Sequence, residues 1–488
     1  MLSSFSSSKV GSLIDGNVET SGREHPVLNP HNCESISSLH LANADTCSRA
    51  VKIAHEAQLE WAARPPVERG SILHHACNLI EARADELSEI VAKEAGKAVA
   101  HARGETQAAI LCGRFFAGEG QRLFGRTMPS GAMNKSAMTV RMPCGVAALI
   151  AAANTPAPNF AWKVFPALIC GNSVVLKPSE DTPISADWMA RALIEAGVPA
   201  GVMNVVQGLG AEVGPALTSD PLVDVVSFTG STRVGQEIAE TAGRQLKKVS
   251  LELGGKNAIL VCDDADIDNA VTWAVASAFS NAGQRCASGS RMIVMEAVYD
   301  EFKAKFCKAA SELKLGTDPD CDLGPVINER QLNNMLSALA EATNSGADIL
   351  VGGKRATGAN LGSGFYLEPT VIEGPGLNDP ISQTELFGPI ANLYSVASYA
   401  EGVAAVNNSV YGLTSCIHTN NWDRAWTFTQ SISAGVSVVN GGTFGSEPHM
   451  PFGGVRASGN GTREPGTEAL DVYTELKDIY LITRTDRL

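Results

Sequence analysis

The chain has 488 residues, of which 44% are hydrophobic and 18% are charged, and its formal net charge is −14 at pH 7. This length predicts two or three domains, and the composition predicts globular domains with large cores rather than a disordered chain. The negative charge makes nucleic acid and anionic membranes poor partners, because their phosphate groups would be repelled.

The eleven cysteines and nine histidines form none of the usual metal-binding or disulfide patterns. The cysteines lack C-x-x-C spacing and no H-E-x-x-H sequence occurs, so neither a metal site nor a redox pair is predicted. Scattered free cysteines are typical of a reducing compartment. Residues 1–8 are serine-rich without the apolar core of a signal peptide, and no apolar run is long enough to span a bilayer. We therefore expect a cytoplasmic protein that does not interact with membranes.

The first third of the chain is predicted to be mostly helical. Apolar residues recur on one helical face through residues 72–80, and Gly96 occupies the position of a helix C-cap. From residue 145 onward the pattern changes to short apolar strands that alternate with helices.

Two such series follow each other along the chain. The first has predicted strands at residues 145–152, 173–177, 202–206 and 223–228, with helices at 159–170 and 184–196. The second has predicted strands at residues 258–262, 291–295, 390–395, 414–417 and 437–439. This alternation indicates α/β units with parallel sheets between layers of helices. Residues 136–142 and 473–483 instead alternate like exposed edge strands, which often pair with another subunit.

Three residues are candidates for covalent catalysis. Glycine and small residues lie around Cys286 in the sequence, and they would let a substrate approach its sulfur. Glu252 ends a predicted strand in an apolar setting, where burial would raise its pKa towards that of a useful general base. Asn154 follows a strand, and its amide could stabilise an oxyanion. Considered singly, a structural cysteine, a salt-bridged glutamate and an Asn-x-Pro turn are the commoner explanations.

Two glycine-rich segments are candidates for phosphate binding. Residues 208–214 have a spacing one residue too long for a dinucleotide fingerprint, and we interpret them as a plain turn. Residues 228–235 follow a predicted strand and open a helix. The backbone N–H groups around Gly230 and the hydroxyl of Ser231 could therefore bind a pyrophosphate.

Taken together, these segments resemble the aldehyde dehydrogenase superfamily over nearly the whole chain. Six segments carry the resemblance in the family's order: residues 171–178 (GNSVVLKP), 228–235 (FTGSTRVG), 251–257 (LELGGKN), 283–286 (GQRC), 385–389 (ELFGP) and 451–454 (PFGG). The resemblance implies an α/β fold with two Rossmann-like domains and a small β oligomerisation arm. The implied boundaries are residues 1–121 and 144–252 for the cofactor-binding domain, 253–445 for the catalytic domain, and 122–143 with 470–488 for the arm.

The resemblance also implies the NAD(P)-dependent oxidation of an aldehyde to its carboxylic acid through a thioester on Cys286. Asn154 matches the residue whose side chain holds the oxyanion, and Glu252 matches the one that activates water to hydrolyse the thioester. Relatives that transfer the acyl group to coenzyme A do not need this glutamate, so its presence favours hydrolysis. A coenzyme A-acylating enzyme and a non-catalytic family member are the alternatives.

Five further positions match the family's cofactor contacts. Lys177 and Glu180 match residues that bind the adenosine ribose, and Ser231 matches a pyrophosphate contact. Glu385 and Phe387 match the pair that positions the nicotinamide ribose and ring. A carboxylate at the ribose repels a 2′-phosphate, so NAD is favoured, with NADP as the alternative.

The substrate end departs from the common family pattern. Thr155 and Asn159 replace larger apolar groups, Arg285 precedes Cys286, and His449 lies in the loop that usually caps this end. These residues predict a polar aldehyde, for example a semialdehyde with a distal carboxylate; the alternative is that the side chains point elsewhere. The partners implied are a small-molecule aldehyde and further copies of the chain in a homodimer or homotetramer.

Overall fold

The structure, a computed structural model, describes residues 9–358, 361 and 363–484. Residues 1–8 of the predicted cofactor-binding domain and residues 485–488 of the predicted arm lie outside the described residues. No helix in the described part of the chain is long and apolar enough to cross a membrane. The same residues contain no group of three or more His, Cys, Asp or Glu side chains that could hold a metal ion.

The helices of the described residues confirm the helical prediction for the first third. They are α1 (Ala44–Ala63), α2 (Pro66–Ala82), α3 (Ala84–Ala95), α4 (Val99–Glu119), α5 (Pro156–Ile169), α6 (Pro183–Glu195), α7 (Gly210–Ser219), α8 (Thr232–Gly243), α9 (Ile267–Phe279), α10 (Glu296–Ser311), α11 (Glu329–Asn344), α12 (Pro380–Gln383), α13 (Tyr399–Asn407), α14 (Trp422–Ser431) and α15 (Ala469–Val472). Helix α3 ends at Gly96 as predicted, because the φ of 64° at this glycine allows a left-handed C-cap.

The strands within the described residues form four sheets. They are β1 (Lys9–Val10), β2 (Ser12–Ile14), β3 (Asn17–Glu19), β4 (Glu24–Leu28), β5 (Ser35–His40), β6 (Thr127–Met128), β7 (Lys135–Pro143), β8 (Val146–Ile150), β9 (Ser173–Lys177), β10 (Met203–Val205), β11 (Val225–Thr229), β12 (Lys248–Glu252), β13 (Asn257–Val261), β14 (Gly289–Met295), β15 (Asp348–Val351), β16 (Thr370–Glu373), β17 (Ile390–Val396), β18 (Thr414–His418), β19 (Val436–Val439) and β20 (Thr474–Ile482). Strands β1 to β6, β15 and β16 were not predicted, since they are short and mostly lack a continuous apolar run.

The first large sheet has the strand order β12-β11-β8-β9-β10-β2-β3. Its strands β12 to β10 are parallel, and β2 and β3 add an antiparallel edge. Strand β8 is buried on both faces: Ala147 and Leu149 pack in the core that contains α5 and α6, while Val146 and Ala148 pack against α1 and α7. Burial on both faces explains the continuous apolar runs of these strands.

The second large sheet has the order β15-β16-β17-β14-β13-β18-β19 and is parallel except for β15. Helices α9 and α10 cover one face, and α13 and α14 cover the other. The first sheet ends at Glu252 and the second begins at Asn257, so only four residues of chain separate them. A smaller sheet, β1-β5-β4, lies near the N-terminus.

The remaining sheet, β20-β7-β6, contains the two predicted edge strands. Strand β20 pairs antiparallel with β7 along its whole length, from Thr474 opposite Pro143 to Ile482 opposite Lys135. Beyond its first residue β20 is largely exposed. In this chain the two predicted strands therefore pair with each other, and their pairing with another subunit stays a prediction.

One sequence prediction is wrong. Residues 208–214 were predicted to be a plain turn, whereas α7 begins at Gly210 and continues to Ser219. The helix forms because Val213 and Leu217, one turn apart, are both buried in the core beneath the first sheet. Their spacing was visible in the sequence but was outweighed by the glycines.

Candidate active site

Four predicted functional residues lie at the carboxyl ends of neighbouring strands. Asn154 follows β8, Lys177 ends β9, Gly230 follows β11 and Glu252 ends β12. These strands are parallel and adjacent, so their carboxyl ends meet at one edge of the first sheet. This edge is where open α/β sheets bind ligands.

Cys286 lies in the loop between α9 and β14 of the second sheet, here called the cysteine loop (residues 280–288), and its side chain is partly buried. Residues 281–283 have φ values of 54°, 53° and 66°, so the loop turns through three consecutive left-handed conformations. A Cβ atom at Gly283 would collide with the carbonyl of Gly388. Only glycine allows the backbone to approach so closely at this φ.

Two buried side-chain amides hold the cysteine loop. Asn257 donates through Nδ2 to the carbonyl oxygens of Cys286 (2.7 Å) and Ser288 (2.9 Å), and its Oδ1 accepts a backbone N–H of β18. Gln284 accepts the backbone N–H of Ile327 at Oε1 (2.8 Å). Each amide thus satisfies backbone groups that would be costly to leave unpaired in a buried loop.

The side-chain amide of Asn154 is oriented by its neighbours. Its Nδ2 donates to the carbonyl oxygen of Gln284 (2.8 Å), and its Oδ1 accepts Nδ2 of Asn159 (3.1 Å). Its backbone oxygen accepts Nζ of Lys97 (2.8 Å) and Nδ2 of Asn281 (3.1 Å). The nitrogen of this amide donates a hydrogen bond and its oxygen accepts one, so the orientation of the amide is fixed. The second N–H of the Asn154 amide is left for a ligand.

Glu252 is 5% exposed, and neither carboxylate oxygen accepts a hydrogen bond of normal geometry from the described residues. Burial raises the pKa of Glu252 well above its ordinary value, and the charge of Glu464 raises it further. Lys163, Arg463 and the backbone of Gly454 lower this pKa to a smaller extent. A carboxyl group of raised pKa without a fixed partner is suited to take a proton from water.

The Cys286 thiol is desolvated as well. Burial raises its pKa to about 12, and the nearby carboxylates of Glu385 and Glu252 contribute to the increase. Cys286 packs in an apolar cluster with Trp162, Phe444 and other residues. Burial thus favours the neutral thiol over the thiolate.

A buried ion pair lies close to Glu252. Lys163 Nζ contacts Glu464 Oε2 at 2.9 Å, and each side chain is 1% exposed. The hydroxyl of Ser227 accepts a hydrogen bond from Lys163 (2.7 Å) and donates one to Glu464 (2.6 Å). These bonds satisfy both charges, so the pair can persist in the interior.

Lys177 and Glu180 form an ion pair of 2.8 Å at the end of β9. Lys177 is buried, whereas the side chain of Glu180 is 29% exposed. Burial raises the pKa of Glu180, but Lys177 and backbone groups including Gly210 outweigh this effect, so the net pKa is lowered. A charged, partly exposed carboxylate at a strand end can accept hydrogen bonds from ribose hydroxyls.

Ser231 is the N-cap residue of α8, yet its side chain makes no capping hydrogen bond. The hydroxyl and the first N–H groups of the helix are thus left for an anion, which the helix dipole also favours. A Cβ atom at Gly230 would collide with the ring of Phe228. The geometry of this turn therefore fits the predicted pyrophosphate site.

Glu385 accepts the backbone N–H of Gly255 at 2.9 Å, and burial raises its pKa to about 7. A Cβ atom at Gly254 would collide with the carboxylate of Glu385. Phe387 has a φ of 56°, an uncommon conformation for an aromatic residue. Since Glu385 also raises the pKa of Cys286, this segment lies beside the thiol.

The four predicted substrate residues have different surroundings. Thr155 is the partly buried N-cap residue of α5, and its side chain makes no capping bond. Asn159 is 7% exposed, and its Nδ2 donates to Asn154 and to Ala152. The Arg285 guanidinium lies 5.1 Å from the ring centre of Phe444. We interpret Asn159 as support for Asn154, and of the four residues it is Arg285 that lies close to the thiol.

The fourth predicted substrate residue, His449, has a side chain that is 60% exposed, and its Nδ1 lies 3.9 Å from Oε2 of Glu447.

The residues that hold Asn154 and the cysteine loop in place were not predicted from the sequence. Asn257 and Gln284 lie inside the segments that resemble the family, so their nearness to Glu252 and Cys286 was the available signal. Lys97 is 57 residues from Asn154 and had no local signal.

Known proteins resemble this chain over nearly its whole length. The model of the aldehyde dehydrogenase family matches residues 17–479. The chain is 37% identical to succinate-semialdehyde dehydrogenase [NADP(+)] GabD of Escherichia coli, over 96% of this chain and 95% of that protein. It is 40% identical to α-ketoglutarate semialdehyde dehydrogenase of Haloferax volcanii, over 94% of this chain and 96% of that protein.

Solved structures give the same result. Betaine aldehyde dehydrogenase from Staphylococcus aureus in complex with NAD+ matches with a TM-score of 0.95 and 31% identity, covering 97% of this chain and 95% of that chain. A putative aldehyde dehydrogenase from Burkholderia cenocepacia matches with a TM-score of 0.94 and 36% identity, covering 96% and 97%. The predicted α/β fold class is confirmed by these matches.

Proposed function

The chain belongs to the aldehyde dehydrogenase family, and we propose that it oxidises its aldehyde through a thioester on Cys286 that is then hydrolysed to the acid. The observation that carries this proposal is the buried carboxyl group of Glu252 near Cys286, with a raised pKa and no fixed hydrogen-bond partner. Such a group serves the hydrolysis of a thioester and would have no use in a site that only binds.

In the first half of the proposed reaction, the Cys286 thiol gives its proton to solvent water and its sulfur attacks the aldehyde carbon. The C=O electron pair moves onto oxygen, and the resulting oxyanion accepts hydrogen bonds from the Asn154 amide and the Cys286 backbone N–H. Asn159 and Gln284 support this step, because they hold the Asn154 amide in one orientation before the substrate arrives.

When bound, a nicotinamide dinucleotide supplies the hydride acceptor that converts the tetrahedral adduct into the thioester. Lys177 and Glu180 would hold its adenosine ribose, Ser231 its pyrophosphate, and Glu385 with Phe387 its nicotinamide ribose and ring. The support for this assignment is an unused N-cap hydroxyl, a charged carboxylate at the ribose position and a glycine-lined approach to Glu385.

NAD is the expected cofactor in preference to NADP. The carboxylate of Glu180 would repel a 2′-phosphate, and Lys177, its partner, is already neutralised by the ion pair. One relative is named for NADP+ and another has NAD+ bound, so the family context permits both. The ratio of kcat/KM with NAD to that with NADP tests the expectation, and a ratio below one would contradict it.

In the second half, Glu252 takes a proton from water as the water oxygen attacks the thioester carbon. The C–S bond then breaks, Cys286 leaves as the thiolate, and the acid is released. An acylating enzyme would use coenzyme A in place of this water. The buried carboxyl group of Glu252, without a hydrogen-bond partner of normal geometry among the described residues, favours hydrolysis.

The test is the rate of reduced-nicotinamide formation across an aldehyde panel, with and without coenzyme A, beside the Cys286→Ala variant. Turnover without coenzyme A that disappears in Cys286→Ala is expected. Turnover that requires coenzyme A would instead support the acylating alternative. Folded wild-type protein that binds cofactor but oxidises none of the aldehydes would support the non-catalytic alternative.

The proposed substrate is a polar aldehyde. Two of the relatives described above are named as semialdehyde dehydrogenases, and the residue that directly precedes Cys286 is an arginine rather than an apolar residue. The panel should therefore compare semialdehydes with unsubstituted aldehydes such as propanal and benzaldehyde. Equal activity on both classes would contradict the proposal.

The sheet β20-β7-β6 is the proposed oligomerisation arm, in a homodimer or homotetramer. Its exposed face presents Leu476, Tyr480 and Ile482, and β19 leaves one edge of the second large sheet open. Light scattering should report more than one chain per particle, and the double substitution Leu476→Glu with Ile482→Lys should reduce the mass of the particle.

The proposed location is the cytoplasm. All eleven cysteines are free, which is typical of proteins in a reducing compartment.

A further inference from the structure

We propose that Asp181 and Asn328 are positioning residues for the oxidation, because they join the chain that follows β9 to the segment that supports the cysteine loop. The proposal rests on the proposed reaction at Cys286, since it concerns the same site. Asn154 follows a strand of the first large sheet, whereas Cys286 precedes a strand of the second. The distance between the oxyanion donor and the sulfur therefore depends on how the two sheets are held together.

A short segment between α10 and α11, here called the bridging segment (residues 324–328), makes the connection. Its Val326 is fully buried and lies in one apolar cluster with Leu332 of α11 and Ile390 of β17. This packing fixes the bridging segment on the second large sheet, whose strand β14 directly follows the cysteine loop.

The side-chain amide of Gln284 ties the cysteine loop to the bridging segment. Its Oε1 accepts the backbone N–H of Ile327 (2.8 Å), and its Nε2 donates to the carbonyl oxygen of Pro325 (3.3 Å). The carbonyl oxygen of Gln284 in turn accepts Nδ2 of Asn154 (2.8 Å). A displacement of the bridging segment would therefore disturb both the cysteine loop and the Asn154 amide.

Asn328 attaches the last residue of the bridging segment to the chain that follows β9. Its Nδ2 donates to Oδ2 of Asp181 (3.2 Å), while its Oδ1 accepts the backbone N–H of Gln331 (3.0 Å) as the N-cap of α11. Asp181 directly follows Glu180, the residue proposed to hold the adenosine ribose. The two ends of one amide thus join the predicted cofactor site to the start of α11.

The first residues of the bridging segment are attached to the same side of the site by close packing. A Cβ atom at Gly324 would collide with the carbonyl oxygen of Gly96, and one at Gly96 would collide with the ring of Pro325. The next residue, Lys97, donates to the backbone oxygen of Asn154 (2.8 Å). The bridging segment is therefore held at both ends against chain that lies beside Asn154 or beside Glu180.

The charges around Asp181 explain why its partner is a hydrogen-bond donor. Burial raises the pKa of Asp181 to about 6, and the carboxylate of Glu180 raises it as well. The hydrogen bond from Asn328 and the charges of Arg330 and Lys177 lower this pKa to a smaller extent. Above this pH the carboxylate of Asp181 is charged and can only accept, so the residue opposite it must donate.

The experiment reverses the polarity of the pair. Asn328→Asp keeps an acceptor for the N-terminus of α11 but places a second carboxylate opposite Asp181. With saturating NAD and aldehyde at about pH 8, we expect the rate of NADH formation in the first turnover to fall about 10-fold or more, because the bridging segment shifts to separate the charges. The double substitution Asp181→Asn with Asn328→Asp restores one donor and one acceptor, and it should recover most of this rate.

The pH profile gives a second readout that a merely structural role would not change. In Asn328→Asp, one of the two facing carboxyl groups takes up a proton as the pH falls, and it can then donate to the other. The first-turnover rate of this variant relative to the wild type should therefore rise between about pH 8 and about pH 6. The relative rate of the double variant should change much less.

Two further variants separate positioning from helix capping and from loss of folding. Asn43→Asp is the matched control, because Asn43 is exposed and caps α1 in the same way, through the backbone N–H of Thr46 (3.0 Å); its rate should equal that of the wild type. Asn328→Ser also caps a helix but is too short to reach Asp181, and it keeps the test valid if Asn328→Asp is unstable. We expect its first-turnover rate to fall by about 3- to 10-fold. Melting temperatures show which variants are folded.

The outcomes separate this proposal from the proposed function. A loss of rate in Asn328→Asp that the double substitution and a lower pH both restore would support the proposal. Wild-type rates in folded Asn328→Asp or Asn328→Ser, a double variant no faster than the single one, or a change confined to the KM for NAD would overturn it. An absence of Cys286-dependent aldehyde oxidation by the wild type would overturn the proposed function itself.

Discussion

The cysteine loop serves the first half of the proposed reaction, and the Glu252 carboxyl group serves the second half. The surrounding protein fixes the position of the loop by hydrogen bonds and packing, but it does not hold the carboxyl group in this way. The loop is fixed by Asn257, by Gln284 and by the close contact of Gly283 with Gly388. Glu252 is as deeply buried, yet its carboxylate has no hydrogen-bond partner of normal geometry among the described residues.

This difference matches what each group has to do. A nucleophile and an oxyanion donor must lie within tenths of an ångström of their productive positions, because misplacement costs rate steeply. A general base must exchange protons with water and keep a raised pKa, and permanent hydrogen bonds to its charged form would lower that pKa. Hydrogen bonds thus fix the positions of the groups in the cysteine loop, and desolvation keeps the pKa of Glu252 raised.

The largest expected effect comes from breaking the packing of the loop. Gly283→Ala introduces a Cβ atom that collides with Gly388 and strains a φ of 66°. We expect kcat/KM to fall about 100-fold or more, since the loop must shift to relieve the collision. Gly214→Ala is the control, because its Cβ would meet no atom. Comparable activity of the two variants would show that the loop is not held as described.

Removing one of the holding amides should have a smaller effect. Asn257→Ala leaves the carbonyl groups of Cys286 and Ser288 without their donor, and we expect kcat to fall by about 10- to 100-fold. The affinity for cofactor, measured by fluorescence titration, should change little, because Asn257 does not match any cofactor contact. A loss of cofactor affinity with unchanged kcat would contradict the assignment.

The smallest effect concerns the stability cost of Glu252. In the folded protein the pKa of Glu252 is raised above its value in the unfolded chain. As the pH rises from the unfolded pKa towards the folded pKa, the unfolded chain loses this proton while the folded protein keeps it. The free energy of unfolding therefore falls over this pH range. Glu252→Gln removes this cost, so the variant should be more stable than wild type by about 1 to 3 kcal/mol at pH 8. The difference should shrink at pH 5. Thermal melts at both pH values measure it, and a variant that is less stable at pH 8 would refute the account.

Much of the fold could be predicted from the sequence because its parallel strands are buried on both faces. The runs that became β8, β9, β13 and β14 are apolar throughout, and such runs are recognisable without knowledge of their neighbours. The early strands β1 to β5 were missed because their pairing partners, not their own residues, make them strands. Residues 208–214 were misinterpreted because glycines outweighed an apolar spacing of one helical turn.

For the candidate site, the catalytic residues could be predicted from the sequence, but the residues that hold them in place could not. Cys286, Glu252 and Asn154 were found from family motifs, and their catalytic roles remain predictions. The residues that hold them were not found, because contacts such as Lys97 to Asn154 join segments far apart in the chain. Asn159 was predicted to contact substrate because it replaces a larger apolar group of the family pattern; in the fold its amide is occupied by Asn154, since the first turn of α5 folds back onto that residue.

The most direct test of the central claim is a single-turnover measurement on Glu252→Gln with aldehyde and NAD. We expect a burst of NADH close to one per active site, little further turnover, and an acyl adduct on Cys286 detectable by mass spectrometry. The same experiment on Cys286→Ala should give neither burst nor adduct. Sustained turnover by Glu252→Gln at the wild-type rate, without accumulation of an acyl-enzyme, would contradict the claim that Glu252 activates the hydrolytic water.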